Sequence, residues 1–406
     1  MKKSRLKIII CFLTVGVFIS CYLFYILDKT KDINILENES IQISNKLKQN
    51  YKDDLIYKNE IIQSIMKKTN SNSLSKDDIL AIYKQFDDKN ICISDSQSNY
   101  NLYGKENFLD FWRNYQSKKN AQLTHYTISI TGELNRDDFI YQNKTLFLMT
   151  TRLYYDNQKA IITDTDSWII EKAEYDSYGY FSYKKKILEK TFDLSNITYD
   201  YFRVVPMDDK LRAYTKTYIE PIEYDCNNLF VMDWNEQNID KISFNDLVEY
   251  LFALNYKEEI FQSRLRVSEE PYISYIDADF FEDLIHHFFE IDQSLLRQNN
   301  YYCSQEHAYP YSELYCIASH TEPPKLRPEV VKAEQKENIL ELTVHAMGYE
   351  KGFPLAFTHI VSIRLLDNGT FHYLSNKIIP NDENQIPKYS PGINNKSPIL
   401  NKSGCS

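Results

Sequence analysis

The densest set of metal-binding residue types in this chain lies between residues 303 and 320. Three residues separate Cys303 from His307, and Cys316 and His320 repeat this spacing after an interval of eight residues. A Cys and a His about one helical turn apart, present twice, offer the four sulfur and nitrogen ligands that tetrahedral zinc prefers. The spacing departs from common zinc motifs, in which paired cysteines lie about two to four residues apart. These four residues are a candidate metal site, and zinc is the cofactor it would take.

The same cysteines offer a different chemistry. Twelve residues separate Cys303 from Cys316, and an oxidising environment outside the cell favours a disulfide between them. A structural bridge, a zinc site and two unrelated cysteines all stay open as interpretations. With Cys92, Cys226 and Cys405, the chain has five scattered cysteines after its N-terminal apolar segment, which is too few for a disulfide framework.

Histidines are the other residues that could do chemistry, and seven of the eight lie between His286 and His372. Adjacent side chains on a helix point about 100° apart, so one of His286 and His287 is expected in the core and the other at the surface. His345 and His359 fall on neighbouring predicted strands, but a general base also requires a positioned partner that the sequence does not show. Because no hydrolase, P-loop or dinucleotide motif occurs, we expect binding or assembly without catalytic residues.

The N-terminal sequence predicts membrane attachment. Residues 1–7 carry four basic side chains and no acid, and residues 8–27 carry no charge. Twenty mainly apolar residues at about 1.5 Å each cross a hydrocarbon core of about 30 Å, and the preceding basic residues favour a cytoplasmic N-terminus. We therefore expect a basic cytoplasmic tail over residues 1–7, a single transmembrane helix over residues 8–27, and an extracytoplasmic location in the cell membrane for the rest.

Two alternatives for this segment stay open. Phe18–Cys21 resembles a lipobox, in which Cys21 would be lipidated after cleavage, although the apolar Tyr22–Leu27 that follows is unlike the polar start of a mature lipoprotein. A cleaved signal peptide has an apolar region of only about 7 to 15 residues. All three interpretations place the remaining chain outside the membrane.

Charge restricts the partners of the extracytoplasmic part. Residues 1–7 hold four of the 47 basic residues, so residues 28–406 carry 43 basic against 57 acidic groups, a net charge of −14. Phosphate binding requires a basic patch, and none is evident, so we expect no nucleic-acid partner. Neutral or cationic molecules, other envelope proteins or a second copy fit better. The membrane itself is contacted through the N-terminal helix.

The order of the predicted helices and strands indicates two α+β domains on a stalk. Helical spacing of apolar residues predicts a stalk and linker over residues 28–74, with packing onto the first domain favoured over a coiled coil. Residues 75–192 predict a capping box, two helices and an antiparallel meander, and residues 193–380 repeat this order loosely. Residues 381–406 predict a flexible tail.

The element order of residues 75–192 resembles the cone of nuclear transport factor 2-like domains, which belong to the cystatin-like folds. The resemblance implies a curved sheet wrapped on helices, and the polar stretch 135–137 would be a turn between its strands. Trp112 and Trp168 would line this cone, where a small hydrophobic ligand bound by a lipoprotein is one alternative and aromatic packing the other. In architecture alone, the chain also resembles bitopic conjugation-channel subunits with tandem domains of this kind.

Short motifs in the second half carry a further resemblance. Trp234–Glu236, Phe244–Leu247, Glu329–Val331, and Phe357–His359 leading to Asn376–Ile378 are similar to an uncharacterised family of membrane-anchored Gram-positive bacterial proteins. That family carries no assigned activity. The resemblance implies an envelope protein of unknown molecular function, and an envelope metal-dependent enzyme or zinc-binding protein using the Cys/His cluster remains the alternative.

Overall fold

A computed structural model of the chain divides after Pro206 into two compact units, each described here by itself. It describes residue 42 and residues 53–68, 73–86, 90–95, 102–129, 131–156, 159–162, 166–187, 197–256, 260–267, 273–312, 326–348 and 354–393. Both units mix helices with mainly antiparallel sheets, so the predicted α+β class is confirmed. The predicted boundary at residue 192 falls earlier than this division, because residues 197–203 still form a strand of the first sheet.

Helices in the first unit are α1 (53–68), α2 (Lys76–Gln85) and α3 (Lys105–Gln116). The predicted capping box opens α2: the Ser75 hydroxyl accepts from the Asp78 N–H, and the Asp78 carboxylate accepts from the Ser75 N–H. Gly104 precedes α3 with a φ of +87°, and a Cβ there would lie 2.5 Å from the Ile91 carbonyl oxygen. Only glycine fits this close approach, which brings α3 onto the sheet.

Nine described strands form the first sheet in the order β2-β1-β3-β4-β5-β7-β8-β9, with β6 paired to β5. β1 and β3 are parallel, and the remaining pairs are antiparallel. The strands are β1 (Ile91–Asp95), β2 (Leu102–Tyr103), β3 (Ala121–Ile128), β4 (Leu134–Gln142), β5 (Thr145–Asp156), β6 (Lys159–Ile162), β7 (Asp166–Tyr175), β8 (Tyr180–Ile187) and β9 (Ile197–Arg203).

This sheet curls until side chains of distant strands meet. Five strand steps separate β3 from β9, which is about 24 Å in a flat sheet with strands about 4.8 Å apart. The ring of His125 on β3 nevertheless stacks on Phe202 of β9 with centroids 4.2 Å apart, and Phe139 of β4 lies 6.0 Å from Phe202. The inner face of the curl therefore encloses an interior of its own.

The two faces of the curled sheet bury different helices. Phe108 and Phe111 of α3 pack inside the curl, where Phe108 lies 5.2 Å from Phe181. On the outer face, α1 and α2 cover the sheet, and Leu55 and Ile62 of α1 are fully buried there. The described part of the predicted stalk, residues 53–68, is thus packed onto the first unit, as favoured from the sequence.

Buried ion pairs hold α1 in place. Arg136 donates to Asp54 of α1 at 2.8 Å and makes two bonds to Asp138, at 2.8 and 3.0 Å. Thr124 also donates to Asp138, at 2.6 Å. Arg136 and Asp138 lie within β4, so the prediction of a turn at residues 135–137 is wrong: these polar side chains have buried partners, which the sequence alone does not show.

The second unit combines a five-stranded sheet, β10-β17-β16-β15-β14, with a three-stranded sheet, β11-β12-β13, and four described α-helices. Its strands are β10 (Trp234–Asn235), β11 (Leu265–Val267), β12 (Ile273–Asp277), β13 (Ala308–Ser312), β14 (Arg327–Lys336), β15 (Ile339–Met347), β16 (Leu355–Leu365) and β17 (Phe371–Ile378). The helices are α4 (Asp209–Tyr214), α5 (Phe244–Asn255), α6 (Ala278–Phe288) and α7 (Gln293–Asn299), with a π-helical turn at Thr215–Ile219 and 3-10 turns at Ile239–Lys241 and Phe261–Arg264.

Two predictions about the chain ends have different outcomes. Residues 381–393 of the predicted flexible tail 381–406 are packed, because the Tyr389 hydroxyl and the Gly392 N–H both donate to Asp246 and Ile393 is buried. Residues 394–406 lie outside the described residues, so the prediction stands untested there. Residues 8–27 and Cys21 lie outside the described residues, so the transmembrane helix and the lipidation stay predictions. Within the described part of the chain, no helix is both long enough and apolar enough to cross a membrane.

Candidate functional site

The inner face of the curled sheet changes from apolar to polar along its strands. Near α3, the inward residues pack with Phe108 and Phe111. Two residues further along each strand, the inward positions include the titratable side chains His125 and Asp137. Two residues beyond these, the inward residue of β5 is the exposed Arg152. Successive rows across β3, β4 and β5 are Leu123, Phe139 and Leu148; then His125, Asp137 and Thr150; then Thr127, Asn135 and Arg152. We call the polar end of this interior, formed by Cys92, Ser94, His125, Asp137, Thr150, Trp168, Tyr183, Lys185, Asp200 and Phe202, the inner recess.

His125 lies in the buried part of the inner recess. Its Nε2 atom lies 2.7 Å from the hydroxyl oxygen of Ser94, and its ring stacks on Phe202. Burial lowers the pKa of His125 to about 3, so the imidazole is neutral at physiological pH. Its Nδ1 atom is buried and has no hydrogen-bond partner in the described structure. One ring nitrogen is therefore held by Ser94, while the other has no partner among the described residues.

Asp137 is directly opposite His125 on the neighbouring strand. Its side chain keeps partial solvent exposure, yet burial is the largest cause that raises its pKa, to about 6. The Thr150 hydroxyl donates to the carboxylate and opposes this rise, while Asp200 adds to it and Lys185 opposes it. Asp137 is thus a carboxylate poised to change its charge just below neutral pH.

Lys185 and Asp200 lead from this pair toward solvent. They form an ion pair in which the lysine side chain is 17% exposed and the aspartate 43% exposed. The Lys185 ammonium also lies 4.7 Å from the centre of the Trp168 ring, a cation–π contact. Burial raises the pKa of Tyr183 well above its ordinary value, and Asp137 and Asp200 add to this rise. Its hydroxyl therefore stays protonated.

Two buried polar atoms of the inner recess lack hydrogen-bond partners in the described structure. In the described structure, five buried side-chain nitrogen or oxygen atoms lack a hydrogen-bond partner, and two of them, His125 Nδ1 and Trp168 Nε1, belong to the inner recess. The other three are dispersed, at Asn59, Glu220 and His372. Since buried polar groups in proteins are nearly always paired, two unpaired nitrogens inside one curl make the inner recess a candidate ligand site.

The chemistry open to the inner recess is recognition of a polar molecule, with proton exchange at Asp137. A neutral imidazole nitrogen, a carboxylate and an indole N–H can together orient a ligand by hydrogen bonds. Phe202 and Trp168 add aromatic surface. Cys92, fully buried beside His125 in the sheet register, has a pKa raised well above its ordinary value, first by burial and then by Asp137, and is an unreactive thiol.

The structure describes half of the predicted Cys/His cluster. Cys303 is disulfide-bonded, and a disulfide sulfur offers zinc no thiolate. His307 uses both ring nitrogens, at 2.9 Å from the Tyr302 hydroxyl and 3.0 Å from Asp279. Within the described residues, no three His, Cys, Asp or Glu side chains form a group able to hold a metal ion. Cys316 and His320 lie outside those residues, so the bridge to Cys316 and the zinc set stay predictions.

The remaining histidine predictions are settled by burial and register. His286 and His287 are both half-buried, so the prediction of one core and one surface imidazole is wrong. His359 pairs with Val344, so His345 on the adjacent strand faces the opposite side of the sheet. His359 instead bonds the Tyr224 hydroxyl at 3.0 Å and Asn376 Oδ1 at 2.7 Å, both buried.

Sequence reasoning missed most of the inner recess. His125 is the one histidine outside the C-terminal group, and Asp137 was included in a predicted polar turn. Trp168 was expected to line the cone, and it packs against the inner cluster, as does Trp112. A signal was present in the alternation of β4, where Tyr141, Phe139, Asp137 and Asn135 share one face.

Comparison with known proteins identifies a protein family for this chain. No curated protein and no solved structure is significantly similar to this chain. A family profile described as "Family of unknown function (DUF6070)" matches residues 34–392. This is consistent with the uncharacterised family that the short motifs resemble, and it indicates no catalytic activity. Because the match spans well over half of the chain, the protein belongs to the DUF6070 family, whose function is unknown.

Proposed function

We propose that this protein is a membrane-anchored, extracytoplasmic binding protein that holds a small molecule in the inner recess of its first unit. The observation that carries the proposal is the pair of buried, unpartnered nitrogens, His125 Nδ1 and Trp168 Nε1. Leaving such a group unpaired costs about 1 to 3 kcal/mol. A ligand that bonds to either atom recovers part of this free energy when it binds.

The fold supports a ligand-binding role for the first unit. A curled antiparallel sheet with α3 packed inside its apolar end is the arrangement expected of a nuclear transport factor 2-like domain, and we assign the unit to that class. The hydrophobic ligand considered from the sequence fits less well, because the aromatic rings of α3 already fill the apolar end. A polar or amphipathic ligand fits the recess better.

The uncharged segment at residues 8–27 supports the proposed location. We propose a single-pass anchor in the membrane of a Gram-positive bacterium, with the two units outside and with other envelope proteins or a second copy as protein partners. Protease treatment of intact protoplasts should digest the two units of the full-length chain, and deleting residues 8–27 should release them from the membrane fraction. A Cys21→Ser variant that loses the anchor and a lipid mass would favour lipidation, and protection from protease would contradict the extracytoplasmic location.

Binding in the inner recess can be tested on the full-length chain in detergent. The protein has three tryptophans, so the Trp168 indole ¹⁵N–H resonance can be assigned by a Trp168→Phe variant. Screening a library of polar fragments should identify compounds that shift this resonance. The expected binders form hydrogen bonds with the indole N–H or with His125.

A matched pair of variants identifies the site of binding. Thr150→Phe fills the recess and should abolish the fragment-induced shifts, whereas Lys186→Phe places the same ring on the exposed outer side of the sheet and should leave them intact. Thr150→Val, which preserves the volume, reports on the recess if the larger ring prevents folding. Fragments that bind all variants equally, or a library without any binder, would overturn the proposal.

A further inference from the structure

We propose that the ligand of the inner recess is a small organic cation, an alkylammonium group that bridges Asp137 and His125 beside an apolar moiety. This inference rests on the proposed function above and names the chemical class of its ligand. Charge balance, hydrogen-bond geometry and the aromatic surroundings support it independently.

The charges of the inner recess leave one carboxylate without a cation. Lys185 is already engaged with Asp200 and with the face of Trp168. His125 is neutral, because burial lowers its pKa to about 3. Among the described residues, Asp137 therefore receives a hydrogen bond from Thr150 and the longer-range attraction of Lys185, but forms no ion pair of its own. At the rim, the exposed Asp166 and Arg152 add one charge of each sign, so the described polar end keeps a net charge of about −1.

Geometry places two acceptors where one ammonium reaches both. Asp137 and His125 are register partners on adjacent antiparallel strands, and directly opposed side chains have Cβ atoms about 4.5 to 5.5 Å apart. An ammonium nitrogen at about 2.9 Å from each acceptor spans this separation with two of its three N–H groups. When His125 donates from Nε2 to Ser94, its Nδ1 atom is the acceptor that this arrangement requires.

Aromatic rings complete the environment that organic cations favour. Phe202 covers His125, and Tyr183 and Trp168 belong to the same inner face. Rings within about 6 Å of an ammonium attract it through their quadrupole. The Lys185 ammonium over Trp168 shows that this face already accepts a cation of the chain itself. An anionic ligand would instead meet the carboxylates of Asp137 and Asp200.

A matched series of three probes tests the charge preference. Benzylamine, benzyl alcohol and benzoate share one ring and differ in charge, and each is titrated into the full-length chain at pH 7.5 by calorimetry and by the Trp168 indole resonance. Benzylamine is expected to bind at least about tenfold more tightly than benzyl alcohol. Benzoate is expected to bind most weakly of the three.

Variants then locate the acceptor. Asp137→Asn should weaken benzylamine binding at least about tenfold and leave benzyl alcohol unchanged. Glu106→Gln, which removes one exposed negative charge of α3 in the same unit, controls for long-range charge. Lowering the pH from 7.5 to 5 should weaken benzylamine binding in the unsubstituted protein but not in Asp137→Asn. His125→Phe removes the second acceptor and should likewise weaken benzylamine binding. Thermal unfolding confirms that each variant is folded.

The outcomes separate this inference from the proposed function. If benzyl alcohol or benzoate binds the inner recess as tightly as benzylamine, the cation preference is wrong and the binding function stands. Equal loss of benzylamine affinity in Glu106→Gln and Asp137→Asn would also overturn the bridging role of Asp137. If neither these probes nor the fragment library shifts the Trp168 resonance, both proposals are wrong.

Discussion

Two buried histidines, one in each unit, face opposite situations. His359 bonds Tyr224 through one ring nitrogen and Asn376 through the other, and Asn376 in turn donates to the Met232 carbonyl at 2.8 Å. His125 bonds Ser94 through one nitrogen and leaves the other unpartnered in the described structure. Burial lowers both pKa values, to about 4 and about 3.

Under the proposed function, this contrast separates a buried polar residue that stabilises the fold from one that can bond to a ligand. A fully paired network makes the core specific, and losing a member leaves the others unpaired. A half-paired imidazole contributes less to folding and keeps hydrogen-bonding capacity in reserve. Burial and neutrality alone, which the two residues share, would not have distinguished them.

The largest expected effect comes from replacing each of the two buried histidines with leucine. His359→Leu removes the buried hydrogen bonds to the Tyr224 hydroxyl and to Asn376 Oδ1 and should cost about 3 to 5 kcal/mol of unfolding free energy. His125→Leu leaves only Ser94 unpaired and should cost about 1 to 2 kcal/mol. Urea unfolding of the two full-length variants measures both values. Equal costs would remove the contrast between the sites.

Lowering the pH should reduce the difference in unfolding free energy between the unsubstituted protein and His359→Leu. The pKa of His359 in the folded protein, about 4, lies below its ordinary value of 6.5, so the unfolded chain binds the proton first as the pH falls. Unfolding free energy is therefore lost between about pH 6.5 and pH 4, by about 3 kcal/mol. The Leu variant has no such loss, and unfolding curves at pH 7.5 and 4.5 should show the difference narrowing. A constant difference would contradict a neutral buried imidazole.

Asp137 and Asp138 offer the same contrast on the two faces of one strand. Asp138 is fully buried and bonded to Arg136 and Thr124, so Asp138→Asn should cost about 2 to 3 kcal/mol. Asp137→Asn should instead stabilise the first unit at pH 7.5 by about 1 to 3 kcal/mol. The pKa of Asp137 in the folded protein, about 6, lies above the ordinary 3.8, so the charged carboxylate is disfavoured by folding.

The pH dependence supplies the control for this pair. Unfolding free energy of the unsubstituted protein falls, through Asp137, as the pH rises from about 4 to about 6. The gain from Asp137→Asn should therefore disappear near pH 4. Thermal unfolding of both variants across this range measures the sign directly, and a destabilised Asp137→Asn at neutral pH would show that Asp137 is a structural residue.

The smallest expected effect compares single hydroxyl groups. Ser94→Ala and Tyr224→Phe each remove one hydrogen bond to a buried histidine. We expect about 1 kcal/mol for each from unfolding curves. The ¹⁵N shifts of the imidazoles should separate them: His125 loses its only described hydrogen-bond partner and exchanges between tautomers, whereas His359 stays oriented by Asn376. Identical spectra would contradict the half-paired state of His125.

Local signals in the sequence predicted many of the elements. The capping box at Ser75 opens α2, the Asp277 side chain caps α6, and the turn after Leu366 places Gly369 at a φ of +82°. Each depends on neighbours within a few residues, which a single sequence displays. Packing of residues 381–393 depends on the distant Asp246 instead, so it could not be read from the polar composition of the segment.

The inner recess shows the limit of such reasoning. The proposed roles of His125 and Asp137 depend on the curl of the sheet, which brings β9 against β3. β9 supplies Phe202 and Asp200, and the sequence pattern did not predict this strand. Inward-facing polar residues of a strand have the composition of a loop. The alternation of β4 is therefore visible in the sequence, but its polar residues 135–137 were predicted to be a turn.

The α+β class, many of the helix and strand positions and the family follow from the amino-acid sequence alone, because these depend on short-range periodicity, capping and similarity along the chain. The folded chain is needed to show that His359 is fully hydrogen-bonded and His125 is not, and that Asp138 is paired while its neighbour Asp137 faces the recess. Pairing, desolvation and the pKa values that follow from them arise between strands far apart in sequence. A linear pattern carries the residue types but not the distances on which those effects depend.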